Sequence, residues 1–187
     1  LSIKKYLDMK ELFIMNTKKL TLASILLAIG LVLHQVIPGT LGAMKPDALL
    51  SMMLLAILIC DDYKSALAIS VVAGILTALT TTFPSGQIPN MIDKLVTGHV
   101  AFLLVKATKN IHHEAKMIIL AILVTLVSGT VFLYSAMVTV GLPTGTSFTA
   151  LFISTVLPAT VVNTILAMIV YNIIFLSNKK IFHPIDK

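Results

Sequence analysis

Thr80-Thr81-Thr82-Phe83-Pro84-Ser85-Gly86-Gln87-Ile88-Pro89-Asn90-Met91-Ile92-Asp93-Lys94 separates two long apolar runs and carries two of the seven prolines, Pro84 and Pro89. An adjacent acid and base, Asp93 and Lys94, stand just where the next hydrophobic segment begins. Charge at the mouth of an apolar segment usually faces the protein interior or water, and often serves function. The plainer reading is a turn with polar residues capping a helix, since charges gather at segment ends.

The surrounding composition decides the class. Of 187 residues, 57% are hydrophobic and only 12% are charged, against about 25% charged in a soluble domain. Mean hydropathy is +0.99. The chain is an all-α integral membrane protein of a size that suits a single bundle of about six spans. The lone Cys60 excludes an internal disulfide and a cysteine-based metal cluster. The net charge of +6 follows membrane topology, so no nucleic-acid partner is inferred.

Residues 1–14 form a polar N-terminal extension, and 15–187 the membrane domain. Residues 1–19 alternate apolar side chains with lysines, which fits a short amphipathic surface helix or an extension preceding a start at Met15. The expected spans are 20–37, 47–60, 65–83, 90–107, 117–141 and 147–176. A span needs about 20 residues, so the second and fourth are short. In transporters, short segments point to binding sites.

The chain has no arginine, so its fourteen lysines set topology. With six crossings, twelve lysines fall on one side and only Lys45 and Lys94 on the other. The positive-inside rule places both termini in the cytoplasm. Loops 38–47, 84–90 and 142–147 then face outward. That face holds Lys45, Asp47, Asp93 and Lys94, which sum to zero. The four can bind a zwitterion or pair with one another.

Ala66, Ser70, Gly74, Ala78 and Thr82 recur at every fourth position and form one small-residue ridge on a helix. Small residues let helices approach closely in lipid. Internal packing is the preferred reading of this ridge. Ser24 and Ala28 form a shorter version that suits internal packing and an external partner helix equally. His34, Thr97, His99, Ser128, Tyr134 and Asn163 interrupt apolar segments, and each needs a hydrogen bond or a cavity. Lone histidines here read as packed residues before metal ligands. His112 and His113 fall in a lysine-rich loop and read as solvated. Pro158 predicts a kink in the last segment, with Asn163 beside it as pocket wall or as helix irregularity. Neither a phosphate loop nor a hydrolase motif is present, so no catalytic residue, metal or cofactor is assigned.

Gly42-Ala43-Met44-Lys45-Pro46-Asp47 and Thr81–Lys94 resemble the two most distinctive stretches of the bacterial tryptophan transport protein family, among the substrate-binding S-components of energy-coupling factor transporters. The resemblance covers residues 15–177; Ala43 stands where the family carries a bulkier residue. It implies a six-helix subunit with no ATPase of its own, coupled to a transmembrane T protein and two cytoplasmic ATPases. Docking on the T protein would use a small-residue motif in the first helix, here Ser24 and Ala28, where the family usually has two alanines. Substrate would sit in an outward pocket closed by the loops after the first and third helices.

An amino acid suits that pocket. Its ammonium needs an anion and its carboxylate needs donors, while an indole needs an apolar slot and one acceptor. Met44, Phe83, Met91 and Tyr134 are candidates for the slot, and Gln87, Asn90 or Asn163 for the acceptor. Asp93 is expected to face the pocket, as partner of the substrate ammonium or as the residue that positions Lys45, with Lys94 pairing outward or reaching the carboxylate. Lys45 is expected in the lid. Asp47, on an exposed loop, is expected to contribute only about 0–1 kcal/mol. The alternatives are another small aromatic or vitamin-like substrate, an intramembrane enzyme using Asp93, His34 or His99, and a scaffold protein without a ligand.

Overall fold

The computed structural model describes residues 3–37 and 45–177, with side chains from residue 17 onward. Among these the chain forms six helices and no strand: α1 (Ile3–Val36), α2 (Ala48–Cys60), α3 (Tyr63–Leu79), α4 (Gln87–Ala107), α5 (His113–Thr139) and α6 (Phe148–Ser177). Four stretches are long and apolar enough to cross a membrane: Thr17–Val36 within α1, then α4, α5 and α6. Exposed Val32, Leu103, Ile119 and Ile165 belong to the apolar outer surface of these four, where lipid is the matching solvent. Helix α1 runs unbroken from the polar N-terminal stretch into the first apolar segment.

Helix α2 occupies the centre. All 13 of its residues are buried, and it packs against each of the other five helices. At 1.5 Å per residue it spans about 20 Å, short of the ~30 Å hydrocarbon layer. Apart from Ser51 its sequence is apolar on every side, as burial all round requires. Asp47 caps its start, Oδ1 accepting the Leu50 N–H at 3.0 Å. Asp61 ends it in the left-handed region (φ 54°). Asp62 then caps α3 by accepting from Ser65 N at 2.9 Å. At this end of the bundle Lys106 donates to the Asp61 carbonyl at 2.8 Å and to its carboxylate at 2.6 Å.

The ridge on α3 packs internally, as its spacing predicts. A Cβ on Gly98 of α4 would stand 1.7 Å from Ser70 Oγ, and one on Gly74 would stand 3.2 Å from Met91 Sδ. Thr82 is the exception, because α3 stops at Leu79 rather than continuing to 83. The chain turns through Ser85 at positive φ (55°) and re-enters helix at Gln87, earlier than expected. Pro89 is tolerated because the first turn of a helix has no intrahelical partner for its N–H groups.

Pro158 disturbs α6 as expected, but as a widened turn: residues Phe152–Val156 are π-helical. Proline has no N–H to close onto the carbonyl four residues earlier, and π turns accommodate such breaks, often at functional sites.

Candidate functional site

A pocket of about 630 Å³, its open mouth included, lies where α1 ends and α2 and α4 begin. Five helices and the α3–α4 turn contribute to its wall.

One side is charged. Lys94 Nζ lies 2.6 Å from Asp47 Oδ2 and also pairs with Asp93 Oδ2. The Asp93 carboxylate further accepts from Thr97 Oγ1 at 2.8 Å and from Ser128 Oγ at 2.8 Å. His34 Nδ1 approaches Asp47 Oδ1 to 3.4 Å. Two carboxylates around one ammonium leave the cluster with one negative charge. Burial this deep is tolerated only where charges are paired and hydrogen-bonded.

Two expectations need correction. Lys94 does not point outward: its side chain is 1% exposed. Adjacent helical residues diverge by about 100°, but the long lysine stem curls back until its ammonium meets the neighbouring carboxylate. Asp47 is not an exposed loop acid either. Its side chain is 18% exposed and is fixed by the α2 cap and by Lys94.

Lys45 also lines the pocket and has no ion pair among the described residues. Partial burial lowers its ammonium from the ordinary lysine range, opposed by the Asp47 carboxylate.

The other wall is apolar. Phe83 from the α3–α4 turn meets Phe132 of α5 edge to face, with centroids 5.3 Å apart; Val156 of α6 continues this surface. Asn90 lies at the rim, its amide donating to Gly86 O at 2.8 Å. On α6, Thr155, Ala159 and Asn163 line the pocket in one row, as residues four apart must. Asn163 is 2% exposed, and neither its amide oxygen nor its amide nitrogen has a hydrogen-bond partner among the described residues. The same holds for Thr155 Oγ1. Ser51 of α2 donates to the Asn163 backbone carbonyl at 3.1 Å, which fixes that residue against the central helix.

The structure therefore gathers Lys45, Asp47, Phe83, Asn90, Asp93, Lys94 and Asn163 around one pocket. Gln87 is exposed at the start of α4 and lies outside the wall. Tyr134 is 61% exposed on the outer surface, so it does not supply the apolar slot. Met91 packs toward Gly74 rather than into the pocket. Met44 lies outside the described residues. His99 is exposed and bonds Tyr63 Oη at 3.1 Å; His34, by contrast, is a pocket residue. Phe132 and Thr155 were not singled out from sequence, although the eight-residue spacing of Thr155 from Asn163 places both on one helical face. Among the described residues no group of three His, Cys, Asp or Glu is placed to hold a metal ion. Outside the pocket wall, Ser24 and Ala28 are exposed on α1, and Ser24 Oγ is turned back onto Leu20 O at 2.9 Å.

A family model described as Tryptophan transporter TrpP matches residues 16–179. A probable tryptophan transport protein of Clostridium acetobutylicum is 47% identical over 169 residues, covering 90% of this chain and 98% of that protein. Its counterpart in Bacillus subtilis is 46% identical over 160 residues, covering 86% and 92% respectively. A third, from Clostridium perfringens, is 37% identical over 169 residues, 85% of this chain and 92% of that protein. No solved structure matches the chain.

Proposed function

The chain belongs to the tryptophan transporter family, and from that premise we propose that it is the substrate-binding subunit of an energy-coupling factor importer that captures tryptophan from outside the cell. It is a multi-pass bacterial membrane protein whose relatives are named as transport proteins, not enzymes. The observation that carries the substrate reading is the pocket itself, in which a charge-balanced polar side faces an aromatic wall.

The roles follow from charge and exposure. The Asp47–Lys94–Asp93 cluster is negative by one and receives the substrate ammonium, with Asp47 the more accessible carboxylate. Asp93 holds Lys94 in place. Lys45, without an ion pair among the described residues, receives the substrate carboxylate. Phe83 and Phe132 flank the ring. Asn90 contributes at the rim. The α3–α4 turn closes over the ligand on the outward side, with both termini in the cytoplasm and six helices embedded. Energy comes from a transmembrane T protein with two cytoplasmic ATPases, docked on the exposed Ser24–Ala28 face of α1.

Thermal unfolding of the detergent-purified chain against a panel of amino acids and vitamins tests the substrate. A ligand at a hundred times its Kd stabilises by about 2.7 kcal/mol, so tryptophan should raise the melting temperature in proportion to the logarithm of its concentration. A shift with a vitamin alone would transfer the site to that substrate. Silence across the panel would favour a scaffold, and turnover of any ligand by the purified chain would favour an enzyme.

A further inference from the structure

We propose that Asn163 is the residue by which the pocket selects a ring carrying an N–H: its side-chain oxygen accepts the indole N–H, and the ring lies along the Thr155–Ala159–Asn163 row of α6. This inference rests on the tryptophan reading above and adds the specificity determinant to it.

A buried amide without partners is rare, because each unmade hydrogen bond costs the full desolvation of the group. Here both ends of the Asn163 amide are unpartnered among the described residues, at 2% exposure, on a wall of the pocket. An asparagine kept in that state is explained if a ligand completes it. The other amide candidates from the sequence are unsuited. Gln87 is outside the wall, and Asn90, whose amide nitrogen donates to Gly86 O, lies at the rim with no buried amide atom left unpartnered.

Local structure supports a flat slot beside it. Ala159, one turn before Asn163, presents only a methyl group, so the row dips between Thr155 and Asn163. Thr155 lies about 12 Å up the helix at 1.5 Å per residue, too far to share one N–H with Asn163. The backbone beneath the amide is held, because Ser51 of the fully buried α2 donates to the Asn163 backbone carbonyl. A backbone held in place limits how far the amide above it can retreat from a ring without a donor.

The test is equilibrium binding of tryptophan and of 3-(benzothiophen-3-yl)alanine, in which sulfur replaces the ring N–H at nearly unchanged shape. The purified wild-type chain should prefer tryptophan by about 10- to 100-fold. Asn163→Leu, with the same branching but without the amide, should bind the two ligands within about threefold of each other. It should also melt higher than wild type without ligand, because an unpartnered buried amide has been removed; a merely structural asparagine would melt lower on replacement. Equal wild-type affinity for the two ligands overturns the inference and leaves tryptophan as substrate. So does discrimination that survives in Asn163→Leu. Failure of tryptophan to bind at all overturns the substrate reading and this inference with it. The wild-type comparison decides even if the variant does not fold.

Discussion

At Lys94 one ammonium answers two carboxylates, so substitutions around it should be unequal. Lys94→Met strands Asp47 and Asp93 together in the interior, and breaking a buried pair from one side costs about 3–5 kcal/mol. Asp47→Asn leaves Lys94 its second partner, so the fold should lose less. Ligand affinity should run the other way for the folded variants: Asp47→Asn weakens tryptophan binding by roughly 2–5 kcal/mol, about 30-fold or more, because Asp47 is the carboxylate nearer the ligand. Unfolding in detergent and equilibrium binding measure the two orders, and a Lys94→Met chain as stable as wild type would remove the cluster from the account of stability. The four charges of this site were legible as a neutral set in two loops. Their geometry was not, since the curl of one lysine stem and the burial of Asp47 depend on how far α2 stands from α4, which no spacing within either segment encodes. The amide of Asn163 was legible as a polar residue in an apolar run, and its lack of a partner only from the packed helices.

On the scale of helices, the α3–α4 seam gives the sharpest packing prediction. A Cβ at position 98 would fall 1.7 Å from Ser70 Oγ and 2.6 Å from Ser70 Cβ. Gly98→Ala should therefore lower the stability of the purified chain by about 1–3 kcal/mol, as overpacking does; an unchanged melting temperature would mean that the seam opens freely. The α1 face behaves differently because Ser24 and Ala28 are exposed. Ser24→Leu with Ala28→Leu should leave tryptophan binding intact while abolishing uptake and co-purification with a T protein, and assembly that survives both changes would move docking to another face. Four-residue spacing was sufficient to read the α3 ridge, since its partners are all small. It was silent on α2, whose uniform hydrophobicity fits a lipid-facing helix and a wrapped one alike. Pro158 announced a break in α6, but the π turn that expresses it depends on how the freed carbonyl settles.

For the whole molecule, orientation is the open quantity with the most direct measurement. The described Lys64, Lys106, Lys109 and Lys116 lie on or beside the helix ends joined by the Lys106–Asp61 bridge, away from the pocket end. A reporter fused after Lys180 should read cytoplasmic, and Ser85→Cys, on the exposed turn beside the pocket, should react with an impermeant thiol reagent from outside. The reverse pattern would turn the pocket toward the cytoplasm. Helix number was legible from the length of apolar runs, whereas the wrapping of one helix by five others was not, because it is a property of closure. That wrapping bears on biosynthesis. The ribosome delivers α2 before α4, α5 and α6 exist, and in that interval an apolar rod about 10 Å shorter than the lipid layer has only α1 and then α3 beside it. Ser51 on α2 meets its Asn163 contact only when the last helix is made, so no nascent fragment ending before α6 carries a completed receptor.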